Sequence, residues 1–151
     1  MASLWLLKQQ FNTASIAELS EVADVVLASL KPRTILLLEG PVGAGKTEFV
    51  KVFAAKLGVH DAMSPSYAIH NHYENAQGFG FDHVDLYRLD GADELEGTGF
   101  WDLFGAEEGL VIIEWPERLE VDQLPMNWSL LRLTIEKSTA ETPRTLSLFS
   151  K

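Results

Sequence analysis

The chain has 151 residues, 46% hydrophobic and 23% charged, a balance that fits one globular domain with a sizeable core. It contains no cysteine, which excludes disulfides and thiolate chemistry, and no apolar run approaches the ~18 residues of a membrane span. A net charge of −10 argues against a free-standing nucleic-acid binder, which needs a basic footprint.

In chain order, Met1 to Gln10 holds a short apolar patch but neither a basic n-region nor a cleavage site, so the default expectation is a cytoplasmic protein. Ser3 to Gln9 is expected to form a first or edge strand. Ser15-Ile16-Ala17-Glu18 fits a capping box. Ile16, Leu19, Val22, Ala23, Val26, Leu27 and Leu30 then recur at helical spacing, which predicts a helix from Ile16 to Leu30 closed by Lys31-Pro32. Thr34 to Glu39 is a short apolar run bounded by Pro32 and Gly40, the pattern of a strand buried on both faces.

Gly40-Pro41-Val42-Gly43-Ala44-Gly45-Lys46-Thr47 follows and satisfies the G-x-x-x-x-G-K-[ST] phosphate-binding pattern. A helix from Thr47 to Leu57 comes next, with Phe49, Val50, Phe53, Ala54 and Leu57 at helical spacing and Gly58 at its C-terminal end. Strand, glycine loop and helix together are the context that the motif requires. Gly40, Gly43 and Gly45 let backbone N–H groups approach phosphate oxygens, and the helix N-terminus favours an anion. Lys46 adds a solvent-side point charge for the β- and γ-phosphates, and the Thr47 hydroxyl can ligate Mg²⁺. The expected nucleotide contacts are therefore Pro41, Val42, Gly43, Ala44, Gly45, Lys46, Thr47 and Glu48. No Asn-Lys-x-Asp guanine-reading stretch occurs, which favours ATP over GTP.

Met63 to Tyr67 reads as a loop, Ala68 to Glu74 and Phe79 to Leu86 as a hairpin about the turn Asn75 to Gly78. Asp90 is placed to cap a short acidic helix through Leu95, and Trp101 to Phe104 reads as a second short helical or turn segment. Leu110 to Ile113 is another continuous apolar run; it ends on Glu114 and is stopped by Trp115-Pro116. Ser129 to Glu136 and Thr145 to Phe149 alternate and read as a terminal antiparallel hairpin. The expected fold is a three-layer α/β phosphate-loop domain spanning 1–151, with a mixed central sheet and this C-terminal hairpin.

Glu114, an acid at the end of an apolar strand, takes the place of the usual Mg²⁺-side Asp of such folds. Asp85, in His83-Val84-Asp85-Leu86-Tyr87-Arg88, is a second carboxylate, with pairing to Arg88 as its plainer reading. Ser64-Pro65-Ser66-Tyr67 places two hydroxyls in a loop of the kind by which nucleotide switches reach the γ-phosphate or Mg²⁺, although from spacing alone a simple turn is the better reading. His60, His70, His72 and His83 form no metal-ligand pattern on one helix face. Between Asp82 and Asp122 stand thirteen carboxylates against Arg88 and Arg118, a face for a protein partner or for solvent.

Taken in order, Gly40–Thr47, Ser64-Pro65-Ser66-Tyr67, His83-Val84-Asp85-Leu86-Tyr87-Arg88-Leu89 and Ile113-Glu114-Trp115-Pro116-Glu117 resemble the TsaE (YjeE) family of small bacterial ATPases. The resemblance covers about Ser15 to Glu117. It implies a phosphate-loop fold and slow, Mg²⁺-dependent ATP hydrolysis. It also implies a role in threonylcarbamoyl modification of adenosine 37 in tRNA, carried out on TsaD- and TsaB-type partners, with tRNA met only through that complex. By residue it implies Lys46, Asp85 and Glu114 as the catalytic set, Thr47 and Glu114 at the metal, and Ser66 and Trp115 beside the nucleotide. Two departures stand out: Ser66-Tyr67 where the family usually has Thr-Phe, and Pro41-Val42 where it often has Asp-Leu. The competing reading is a small-molecule kinase on the same fold, which would want an arginine-rich lid that this chain does not display. A nucleotide-dependent interaction module with negligible turnover is the third.

Overall fold

The computed structural model describes residues 5–13, 16–63, 70–89, 92–95, 97–136 and 144–151. Among these residues seven strands lie in one mixed sheet: β1 (Leu6–Thr13), β2 (Arg33–Glu39), β3 (His70–Glu74), β4 (Gly80–Asp85), β5 (Gly109–Glu114), β6 (Ser129–Glu136) and β7 (Arg144–Ser150). Their order is β1-β7-β6-β2-β5-β4-β3. The four central strands, β6, β2, β5 and β4, run parallel, while the pairs at either side are antiparallel. Parallel strands are covered on both faces, so β2 and β5 read as continuous apolar runs.

Two helices, α1 (Ile16–Ala28) and α2 (Lys46–Lys56), pack side by side against one face. Alternate strand residues point to them: Leu36 and Leu38 of β2, Leu110 and Ile112 of β5 and Phe81 of β4 share a core with Leu19, Val22, Val26, Phe49 and Phe53. Ile35, Leu37, Val111, Ile113 and Val84 point the other way. There they meet a third layer built from short 3-10 turns, whose Leu95, Phe100 and Phe104 pack with Trp128. Phe104 and Trp128 meet edge to face at 5.5 Å, and the Trp128 indole N–H donates to the Phe104 carbonyl. Phe53 has no exposed surface, and its replacement by alanine would cost roughly 3–5 kcal/mol.

Several boundaries differ from expectation, some for local reasons and one through distant strand pairing. The first strand, Leu6–Thr13, runs on past the expected end at Gln9, because its pairing with β7, from Leu6↔Ser150 to Thr13↔Arg144, decides it; Ser3 and Leu4 lie outside the described residues. The helix expected to reach Leu30 ends at Ala28, where the Ser29 hydroxyl donates to the Val25 carbonyl. Phe79 closes the turn instead of opening β4, since the Asn75 side-chain oxygen accepts both the Gln77 and Phe79 N–H groups. At the end of α2, Gly58 adopts φ 91°, its N–H donates to Ala55 and that of Val59 to Ala54, the pattern that turns the chain out of a helix. Ser15 of the capping box, the 64–67 loop and Asp90 lie outside the described residues.

Candidate functional site

The parallel centre of the sheet puts the carboxyl ends of β2, β4, β5 and β6 at one edge, where open α/β sheets take their ligands. The glycine loop leaves β2 there and winds into α2. Gly43 and Gly45 both sit in the left-handed region, at φ 81° and 111°. The Ala44 N–H donates to the Pro41 carbonyl and tightens the loop. A Cβ on Gly40 would lie 2.8 Å from the Ile135 carbonyl oxygen of β6, and one on Gly45 2.7 Å from the Arg144 guanidinium. Gly45 is also the N-cap of α2, where no side chain caps the first turn. The N–H groups of that turn therefore remain available to an anion.

A cleft of about 310 Å³ opens over this turn, lined by Val42, Gly43, Gly45, Lys46, Thr47, Glu48, Asp85, Tyr87, Glu114 and Trp115. Most of the residues expected from the sequence thus converge. Pro41 instead lines the neighbouring cleft with Glu39, Glu117 and Glu136. Ala44 is fully buried in the helix-side core, so it can offer a ligand only its backbone. Ser66 lies outside the described residues. Tyr87, which the sequence did not single out as a site residue, joins the cleft two positions after Asp85.

Lys46 corrects one expectation: it is not a solvent-side charge but only 6% exposed. Its ammonium donates to the Gly40 carbonyl at 2.5 Å and lies 3.7 Å from the centre of the Trp115 ring. Burial lowers its pKa from the ordinary lysine value, against the opposing pull of Glu114, Glu117 and Asp85. The Trp115 ring is brought there by backbone in an unusual conformation, φ 60° and ψ 50°, the only non-glycine residue with positive φ among those described. The ring also tilts against Tyr87, with centroids 4.9 Å apart.

The two acids are neighbours in the ladder, Asp85 paired with Glu114 across β4 and β5. Asp85 accepts the Tyr87 N–H at 2.9 Å, and among the described residues no ion pair joins it to Arg88. Burial raises its pKa, helped by the Glu114 charge and opposed by the Tyr87 hydrogen bond, His83 and Lys46. Glu114 is 2% exposed. Its carbonyl accepts the Leu86 N–H, and its Oε2 lies 2.6 Å from Nε2 of His83, which has no exposed surface. No sequence motif points to His83; the available signal is its place two residues before Asp85, on the same strand face.

The donor set suits a hard cation as well as a phosphate. The Thr47 hydroxyl and the Asp85 and Glu114 carboxylates line one cleft, all oxygen donors. Among the described residues no three His, Asp or Glu side chains form a cage able to hold a metal alone. Mg²⁺ characteristically takes only one or two protein ligands beside substrate phosphates.

The sequence matches the family model of "Threonylcarbamoyl adenosine biosynthesis protein TsaE" over residues 13–146. It is 35% identical over 117 residues to the tRNA threonylcarbamoyladenosine biosynthesis protein TsaE of Bacillus subtilis (strain 168), covering 77% of this chain and 71% of that one. With the protein of the same name from Aquifex aeolicus (strain VF5) it shares 33% identity over 138 residues, 85% of this chain and 92% of the relative. Among solved structures, that of Bacillus subtilis YdiB superposes with a TM-score of 0.73 at 27% identity, covering 99% of this chain and 88% of the other.

Proposed function

The chain belongs to the TsaE family, and from that premise we propose that it binds and slowly hydrolyses ATP with Mg²⁺, as a single domain serving threonylcarbamoyl modification of adenosine 37 in tRNA. It acts on a partner complex of TsaD and TsaB type and meets tRNA only through that complex. The observation that carries this reading is the convergence of Lys46, Thr47, Asp85, Glu114 and Trp115 on one cleft above an uncapped helix N-terminus.

The roles follow from the chemistry of each group. The loop N–H groups and the start of α2 bind phosphate oxygens, and Lys46 supplies a buried positive charge beside them. Trp115 covers that ammonium and excludes water from one side. Thr47 and Glu114 would hold Mg²⁺, which when bound would neutralise phosphate charge. Asp85, half-buried and with a raised pKa, orients the attacking water and takes up its proton. No helix of the described residues is long and apolar enough to cross a membrane.

The test is an ATPase assay of the purified chain with Mg²⁺ or EDTA, repeated with the partner complex and tRNA. Slow Mg²⁺-dependent turnover that rises with the complex supports the reading. Phosphoryl transfer to a small-molecule acceptor would move it to a kinase.

A further inference from the structure

His83 has no exposed surface, yet it sits on the strand face that Phe81 and Ile112 give to the helix-side core. A polar ring in such a place is costly unless a hydrogen bond compensates. One nitrogen, Nε2, has its partner in Glu114 Oε2 at 2.6 Å. The other, Nδ1, has none among the described residues. A histidine kept only for packing would be cheaper as an apolar residue, and one kept for its own hydrogen bonding would use both nitrogens. Among the described residues its only polar side-chain partner is the acid of the cleft. With Nδ1 unpartnered, the ring proton belongs on Nε2, which donates to the carboxylate.

We infer that His83 is a positioning residue of the site. It holds the Glu114 side chain in one orientation, with Oε2 engaged by the imidazole and Oε1 left for the cleft. A glutamate has three side-chain torsions to lose, and the Leu86 N–H bond fixes only its backbone. The imidazole fixes the rest. The inference rests on the ATPase reading above, because it assigns Glu114 to the divalent cation.

The test compares His83→Gln with His83→Met in the full chain. The Gln amide nitrogen can reach about where Nε2 lies; Met fills similar space but cannot donate. ATP affinity is measured by calorimetry in Mg²⁺ and in EDTA, and thermal melts report the fold. His83→Gln should keep the Mg²⁺-dependent gain in affinity within about threefold, whereas His83→Met should lose about 10–100-fold of it, the usual cost of removing a hydrogen-bond partner of a metal ligand. Affinity in EDTA should be unchanged in both. Adding His83→Met to Glu114→Gln should cause no further loss, since both remove the same interaction. The proposal is overturned if His83→Met keeps the Mg²⁺ gain, if its effect adds to that of Glu114→Gln, or if it fails to melt cooperatively, which would make His83 a folding residue. A wild-type chain with no Mg²⁺-dependent ATP affinity would instead overturn the ATPase reading.

Discussion

The Lys46 ammonium rests on the face of Trp115, 3.7 Å from the ring centre. A cation over an indole gains about 0.5–2 kcal/mol depending on desolvation. The left-handed backbone at Trp115 costs on the order of 1–3 kcal/mol. The contact and the strain are of one size, so the cation contact alone leaves no net stabilisation of this conformation.

Trp115 lines the cleft, so nucleotide binding should change its emission. The chain has four tryptophans, and Trp115→Phe should abolish the ATP-dependent change while the other three still fluoresce. Trp115→Ala should weaken ATP binding by about tenfold, near 1.4 kcal/mol. A fluorescence titration that survives Trp115→Phe would contradict this.

Lys46→Met should abolish productive ATP binding without loss of fold. The Lys46 pKa is depressed below 10.5, chiefly by burial. A lysine with a depressed folded pKa contributes stability above its unfolded value and loses that contribution as pH falls through the folded one. At pH 7 the charged side chain is thus a net cost, and Lys46→Met should melt at an equal or higher temperature than wild type. Calorimetry with ATP and a melt at pH 7 check both halves.

Asp85 and Glu114 should separate by phenotype. Asp85→Asn should still bind Mg·ATP but turn it over poorly, and Glu114→Ala should lose the Mg²⁺ dependence of affinity. The Asp85 pKa is raised above 3.8, first by burial. Turnover should consequently fall with acid at a pH above the ordinary aspartate range, with the basic form active. For stability the sign is opposite: a raised carboxyl contributes below its unfolded pKa and loses that as pH rises through the folded one, so Asp85→Asn should stabilise the chain at neutral pH. Interchanged phenotypes would reverse the roles and leave the site intact.

On β3 the two histidines His70 and His72 share one Asp82 oxygen, at 2.6 and 2.8 Å. The His72 pKa is raised above 6.5, mainly by that hydrogen bond. The stability it adds is fully present below 6.5 and is lost as pH rises through the folded value. Melting temperature should fall from pH 6 towards alkaline pH, and His72→Asn should flatten that slope. Because His72 is half exposed, the change should shrink in high salt.

What could be read from the sequence tracks how local its cause is. The phosphate loop, β2, β5 and α2 announced themselves because loop geometry and two-sided burial act on consecutive residues. The role of His83 did not, because it depends on an acid 31 positions away that only the β4–β5 register brings near. The burial of Lys46 is hidden in the sequence for the same reason: Trp115, which covers it, comes from a different strand end. The 3-10 layer was hard to read since its aromatics carry no period, yet Phe100, Phe104 and Trp128 build a core. The left-handed conformation of Trp115 ran against every expectation for an aromatic residue, and it sits in the site.

The pairing of β1 with β7 has a consequence for how the molecule is made. Gln10 of β1 bonds to Ser147 of β7, 137 positions further along the chain. During synthesis β1 emerges before the other strands of the sheet and waits, its backbone N–H and C=O groups unpaired, until β7 follows. Such distant pairing is slow to form, so the rim of the sheet beyond β6 should be the last part to become protected from hydrogen exchange during refolding. The loop and the acids of the cleft sit at the parallel centre, on strands paired before that rim closes. A nascent chain arrested before β7 should therefore be aggregation-prone at its first strand and yet carry a formed phosphate loop.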